Sequence, residues 1–535
     1  MASTTLTPAK VFLLAVQAAT TADIGALRTL VAGYQSVVQN SFLRILLTFL
    51  PESVPSSDYI ELLAEFSSGK VSPTPNVAID TSIIDHSNND EALSQAKKVR
   101  LLPLRMQDRH LDAPDDPLLS FLLHRAYQID SQSGMIDQLP TLLNPFIDRY
   151  DYLRKWFLGS VLPLLRLEYE YHPNYTTLHT ISWFEGLTTK DAVEFLLSRA
   201  LPTDIPTTNG INFLLRDLRG LIGPWLYGCN QWARQQAASA QYAGQTVRPL
   251  DDVADDSTQS FFDWQVVFRW LISQTEQFPS ILPATVIKWQ GPGDVDLGGY
   301  GQADQIINGA DQKVLQGYYG NCGLVIAVKT AETTGASLQT AATVESIVRS
   351  RLGLPPLAEL QRSVVQLEPI PNLGDDTSTE QEQIVSSLSY LSGEIPAFKI
   401  PSDATFAVFQ AMLITGSLLK HIDSAFPLER VGDLMIRLDE HNQRSAMSLY
   451  MGEAVKGATG NDRQWTRMRQ EVLWLHDWGR KFKVEEGAIP HKGRGILGIL
   501  TVEQIESTFL SYMLENTRKC HLMQLLLYFA QTLCR

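Results

Sequence analysis

Between Thr7 and Ser53 apolar positions recur three times at helical spacing, and each stretch carries its own stop. Val11, Leu14, Ala15 and Ala18 fall on one face of a first helix. Thr7 is its N-cap candidate, and Pro8 suits the first turn, where a missing N–H costs nothing. Asp23 is placed to cap a second helix bearing Ile24, Leu27, Leu30 and Val31, and Gly33 is expected to end it in the left-handed conformation. Phe42–Leu50 reads as a third, strongly apolar helix stopped by Pro51. Helices joined by tight turns, with no strand between them, predict the start of a helical array, which offers a surface and not a catalytic pocket.

The same period continues along the chain. Ser56 and Ser57 are candidate caps for a helix that Gly69 follows, and VSPTPNVAID reads as a loop. Helical spacing resumes over Asn89–Arg105, up to the interruption at Pro103, and over Pro114–Ile129, the second with acidic residues near its start, as the helix dipole favours. Tyr150–Tyr171 contains Pro163 and predicts one kinked helix or two meeting there. Thr188, with Asp191 three residues on, is a capping-box variant. Further helices are expected over Phe261–Ile272, through Leu354, and over Thr377–Leu391, Ala404–His421, Leu434–Met451 and Gln464–Lys481. Val325–Val328 is the best strand candidate, yet it fits a buried helix equally well. There is no βαβ alternation and no repeat of fixed period. The expected fold is all-α, an irregular α-solenoid of antiparallel helix pairs. The array is expected over 7–230 and again over 261–518, and 231–260, with its DDVADD run, is expected to be a loop or surface insertion.

Composition narrows the function. A chain of 535 residues exceeds one ordinary domain, and 44% hydrophobic residues suffice for a continuous core. A net charge of −14 argues against a general nucleic-acid binder and against broad adhesion to anionic membranes. Cys229, Cys322, Cys520 and Cys534 lack CxxC spacing, so each reads as a small buried hydrophobe in a reduced, cytosolic chain. No run approaches the roughly 18 apolar residues of a membrane span, and Val11–Val16 is too short for a signal-peptide core. The Asn174-Tyr175-Thr176 triplet fits a glycosylation sequon and carries no meaning in a cytosolic chain.

Candidate chemistry is sparse. GDVDLGGYG lacks the strand-then-helix frame of a dinucleotide loop. HKGRGILG, from His491, lacks the GxxxxGK(S/T) spacing of a phosphate loop, and both read as surface loops. Asp294 and Asp296 resemble the start of a calcium loop, but its twelfth position is Gln305, which cannot replace a bidentate glutamate. His172 and His179 are near neighbours separated by Pro173, and each reads as a core or surface histidine. His476-Asp477 reads as a solvated helix face. Trp183, Trp270, Trp474 and Trp478 sit in amphipathic stretches, so core packing is expected for most of them, with interface anchoring as the other role. No catalytic, cofactor-binding or metal-ligating residue is assigned, no cofactor is expected, and the partner-binding residues are left open.

Several blocks, read in order, resemble one family. They are TPAKVFLLAVQ…ADIGALRTLV, FLRILLTFLPES, YLRKWFLGSVLPLLRLEYEYHP, WFEGLTTKDAVEFLLSRA, YYGNCGLVIAVKTA…RLGLPP and EVLWLHDWGRKF…GRGILGILTVEQIESTFLSYMLENTR. The chain is similar, from about Thr7 to about Arg518, to the fungal form of the Sec-thirty-nine domain family, which also includes the metazoan neuroblastoma-amplified sequence protein. The resemblance implies an irregular all-α solenoid without catalytic activity. It implies a subunit of the Dsl tethering complex, on the cytosolic face of the endoplasmic reticulum (ER), where COPI vesicles returning from the Golgi are captured. The implied partners are a rod-like tether subunit and an ER SNARE of the Use family, with peripheral attachment to the membrane through them. Another helical scaffold, of coat or nuclear-pore type, is the alternative that the helix pattern alone leaves open. An enzyme built from scattered residues is the third, and it needs a deep pocket with perturbed acids or a metal. The tail 519–535 (KCHLMQLLLYFAQTLCR) departs from the family pattern. Its abrupt apolar finish is the expected mark of a shortened chain or an altered reading frame.

Overall fold

The computed structural model describes residues 6–228 and 256–516, apart from 76, 78, 86, 106–109, 111–112, 175–177, 203–204, 302–308, 356–366, 368, 374–376, 394–397, 420–426, 438, 457–461 and 481–492. The tail 519–535, three of the four cysteines, most of 231–260 and Gln305 lie outside these residues. Among the described residues the protein is all-helical and has no strand, its one β-bridge being the isolated pair Glu332 and Pro427. The chain forms two compact units. One comprises residues 1–202, 216–263 and 295–306, and the other 203–215, 264–294 and 307–535.

The first unit opens with α1 (Pro8–Thr20), α2 (Ile24–Gly33), α3 (Gln35–Val38), α4 (Phe42–Phe49), α5 (Ser56–Ser68), α6 (Ser82–Asp85) and α7 (Asn89–Lys98). The apolar face of α1 that the spacing predicts is the buried one, and it packs against α2, α4 and α7. Asp23 caps α2 by accepting the Ala26 N–H at 2.9 Å. Two terminators differ from expectation. Gly33 is the last helical residue, not a left-handed one, and Tyr34 ends α2 with φ −132 because α3 starts at the next residue. The N-cap of α5 is Pro55. Ser56 is already helical and buried, with its hydroxyl 3.5 Å from that of Tyr59. Gly69 does close α5 at φ 72. Asn88 and Glu91 form a full capping box on α7.

There follow α8 (Pro117–Gln128) and α9 (Leu139–Ile147), and then one unbroken helical run over Asp151–Tyr171. It is α10 (Asp151–Trp156), a π-turn (Phe157–Val161), α11 (Leu162–Leu165) and a second π-turn (Arg166–Tyr171). Pro163 neither breaks nor ends it. The wider turn just before the proline removes the need for its missing N–H and the clash with the carbonyl four residues back. Further π-turns occupy Ile129–Ser133 and Leu218–Ile222, also in this unit. The run is pressed close to the residues after Leu218, because a Cβ on Gly228 would overlap the backbone of Gly159. Arg166, buried at its base, donates to the carbonyl of Gly220 at 2.9 Å and to that of Asp296 at 2.6 Å. The single turn α12 (Ile181–Phe184) and α13 (Thr189–Leu197), capped by Thr188, complete this part.

α14 (Thr207–Asp217) and α15 (Asp256–Ser273) contribute residues to both units. α15 begins at Asp256, within the stretch expected to be loop. The second unit continues with α16 (Ile281–Lys288), α17 (Gly309–Thr330), α18 (Gly335–Arg351), α19 (Thr377–Leu391), α20 (Asp403–Leu419), α21 (Leu428–Arg437), α22 (Glu440–Lys456), α23 (Asp462–Asp477) and α24 (Val502–Asn516). Val325–Val328 lies in α17, fully buried. α20 is buried almost all round, as its nearly uncharged sequence requires. The single helix expected over Leu434–Met451 is two, α21 and α22. Asp439 starts the second by accepting the Asn442 N–H at 2.7 Å.

Candidate functional site

In the second unit the end of α23 is a densely bonded site. His476 and Asp477, expected on a solvated face, are both buried, at 1% and 2% exposure. The glycine-rich segment after His491, expected to be a surface loop, is buried from Arg494 to Gly498. The two corrections have one cause, since the segments cover each other. The loop N–H groups of Gly495 and Leu497 donate to the carbonyls of His476 at 2.9 Å and Leu475 at 3.3 Å, satisfying the open end of α23. That approach requires glycine. A Cβ on Gly493 would overlap the His476 carbonyl, and one on Gly495 would overlap that of Leu475.

Between the glycines, Arg494 is the centre of the site. Its guanidinium donates to the carbonyls of Pro371 (2.9 Å), Ile370 (3.0 Å) and Asp477 (3.2 Å) and to Glu380 (3.1 Å). It also lies 5.6 Å from the centroid of the Trp478 ring. Glu380, from α19, further accepts the Leu373 N–H at 3.0 Å and pairs with Arg480 at 3.3 Å. Burial pushes the Asp477 carboxyl up to about 6, against the pull of Arg494 and Arg480. His476, lowered by burial, donates from Nε2 to the Leu500 carbonyl at 3.0 Å. Trp478, completely buried, holds φ at 53, a strained value for a bulky side chain. One cation thus joins α19, the segment before it, the end of α23 and the glycine loop. The bonds of Arg494 and Glu380 are all made to the protein itself and tie separate segments together, which makes the cluster a structural clamp, although Asp477 Oδ2 and Trp478 Nε1 are buried without a hydrogen-bond partner.

In the first unit the site of interest is a surface. His179 donates to Glu168 from its backbone and from Nδ1, each at 2.9 Å, and Ile181 N–H donates to buried Asp130 at 2.7 Å. Burial raises both acids, Asp130 to about 6. These bonds fix the turn α12, whose Ile181 and Phe184 point inward. Trp183, on the other side, is 42% exposed, and Leu178 is 55% exposed. The Trp183 ring stacks on His179 at 4.2 Å and meets the edge of Phe195 at 5.0 Å. Of the four tryptophans singled out from the sequence, Trp270, Trp474 and Trp478 are core residues and Trp183 is not. The sequence does not mark this exposure, because α12 is one turn long, too short for the periodicity to reveal a face.

His172 does not join His179. It binds buried Asp217 at 2.7 Å. Asp294 accepts the Gln290 N–H and Asp296 that of Gly298, while Asp296 also pairs with Arg166 at 3.2 Å. Cys322 is buried, and desolvation raises its thiol beyond reactivity. Among the described residues no group of three or more His, Cys, Asp or Glu is placed to hold a metal. Nor is any helix long and apolar enough to cross a membrane. Among the described residues, the open grooves of the second unit include two larger ones. One, of about 700 Å³, lies between α19 and the start of α20 and is lined by Asn321, Glu382, Tyr390, Lys399 and Asp403. The other, of about 590 Å³, is walled by small residues of α16, α17 and α18, among them Ala284, Ala327, Ser337 and Ala341.

Compared with known proteins, residues 12–530 match the model of the family described as secretory pathway protein Sec39. No curated protein matches the chain.

Proposed function

Because the chain belongs to the Sec39 family of secretory pathway proteins, we propose that it is a non-enzymatic subunit of the ER-associated Dsl tethering complex. In this reading it links a rod-like tether subunit to an ER SNARE of the Use family, for capture of COPI vesicles on the Golgi-to-ER route. It sits on the cytosolic face of the ER and is held there by its partners. The observation that carries the reading is the family match over nearly the whole chain. The all-helical architecture agrees with it, and so does a buried ion cluster spent on holding helices together. The mechanism is geometric. An irregular solenoid of antiparallel pairs fixes two partners at one separation and raises the local concentration of the second once the first is bound. Support for the pairing comes from α18 and α20, where Arg349 lies over Phe406 near one end and Gly416 faces Leu338 toward the other. The Trp183 platform is of the kind that anchors partners, a rigid aromatic already ordered before contact.

The test is to immobilise the purified chain, pass detergent-solubilised ER membranes over it, and identify the retained proteins by mass spectrometry. Retention of the rod-like subunit or the Use-type SNARE supports the reading. Retention of neither, with coat or nuclear-pore subunits held instead, overturns it.

A further inference from the structure

Glu345 lies in the middle of α18, and its side chain is completely buried. Neither carboxyl oxygen has a hydrogen-bond partner. Three helices pack on α18, namely α16, α17 and α20. None of them offers it a charge to pair with. α20 carries no Asp, Glu, Lys or Arg after Asp403. On α16, Lys288 is exposed; on α17, Asp311 and Lys313 lie in the first turns, Lys313 exposed, and Lys329 pairs with Glu429 at 2.7 Å. On its own helix, Arg351 is turned to the carbonyls of Val286 and Ile287. Arg349, one turn along, by its charge, and the side-chain amide of Gln410, on α20, draw the carboxyl toward its charged form, but less than burial opposes it. The carboxyl therefore sits at the α18–α20 contact in an environment built for an uncharged side chain.

We propose that Glu345 makes the contact between α18 and α20 a proton-dependent latch: the helices stay packed while the carboxyl holds its proton, and part locally when it is lost. An unpaired buried carboxylate is far costlier than a buried neutral acid, so ionisation and opening are coupled. The direction follows from linkage. Burial pushes the packed carboxyl up to about 8, whereas the opened one returns to the ordinary 4.5. The packed state binds more protons across that window, so the contact is strongest below it and weakens as pH rises through it. With one proton released per opening, the opening constant grows about tenfold per pH unit inside the window and levels off above it. The window spans the pH range of the cell and its compartments, which makes the latch a conformational device and not only a core defect.

The test is amide hydrogen exchange of the full chain at pH 5.5 and 7.5, corrected for the intrinsic rate. Protection of α18 and α20 amides should fall about a hundredfold between the two. In Glu345→Gln and Glu345→Leu that fall should vanish. The wild-type chain at pH 7 should show the infrared carbonyl band of a protonated carboxyl, absent from either variant. Equal pH dependence in the variants, no pH dependence in the wild type, or the same loss across every helix of the unit would overturn the latch. If neither variant folds, the wild type decides: the infrared band must be lost as pH rises through the window and the α18 and α20 amides must lose protection over it, and either without the other overturns the latch.

Discussion

Replacing Arg494 by methionine removes the guanidinium and keeps most of the side-chain length. The substitution leaves the carbonyls of Ile370 and Pro371 without their donor, leaves that of Asp477 with only the Arg480 N–H, and strips Glu380 of the closer of its two cations. Arg494 and Glu380 are 3% and 2% exposed at their side chains, so water cannot take over these roles. Removing one partner of such a buried pair costs about 3–5 kcal/mol. For a unit of this size that lowers the melting temperature by roughly 10 °C. The assay is urea unfolding followed by tryptophan fluorescence, with hydrogen exchange reporting whether residues 369–373 and 493–500 lose protection together. Adding Glu380→Gln to Arg494→Met should recover part of the loss, since the stranded carboxylate is gone. Recovery should stop short of complete, because Arg480 then loses its own partner at 3.3 Å. Arg494→Lys should behave like the methionine variant, as an ammonium cannot serve several carbonyls in a plane. A loss below about 1 kcal/mol, the size of a surface pair, would refute the clamp. So would a lysine variant of wild-type stability, or the absence of coupling to Glu380.

Gly495→Ala should be at least as damaging as Arg494→Met, because its Cβ would meet the backbone of Leu475, which cannot move without unwinding α23; soluble yield and urea midpoint together read this. Trp183→Ala should change the unfolding free energy read from urea curves by about 0.5 kcal/mol or less, as expected at an exposed position, yet weaken retention of the rod-like subunit or the SNARE from ER extracts; unchanged retention removes Trp183 as an anchor.

The helices that were legible are those whose period is long and whose ends carry chemistry. Thr377–Leu391 has the bounds its spacing predicts, and α1 buries the face its sequence marks. The split between α21 and α22 was written in Asp439, a capping residue inside a stretch whose apolar spacing runs on across it. The four π-turns left no trace, because a wider turn changes the period over only five or six residues, too few to register. The clamp was not legible for a different reason. His476, Asp477 and Arg494 look like surface residues until Glu380, more than ninety positions earlier, is brought beside them. Trp183 escaped because a single helical turn carries no period at all.

Gly493, Gly495 and Gly498 are spaced as glycines are in the phosphate-binding turn of dinucleotide sites. Spacing says nothing of which end of a helix the turn meets. A phosphate needs the amino end, where free N–H groups and the positive pole gather. This turn meets the carboxyl end of α23, the negative pole, and spends its own N–H groups there. A pattern search would read nucleotide binding from these six residues. The protein has used the same freedom of glycine to let main chain touch main chain, and the N–H groups of Gly493, Gly495, Leu497 and Gly498 are already spent on carbonyls.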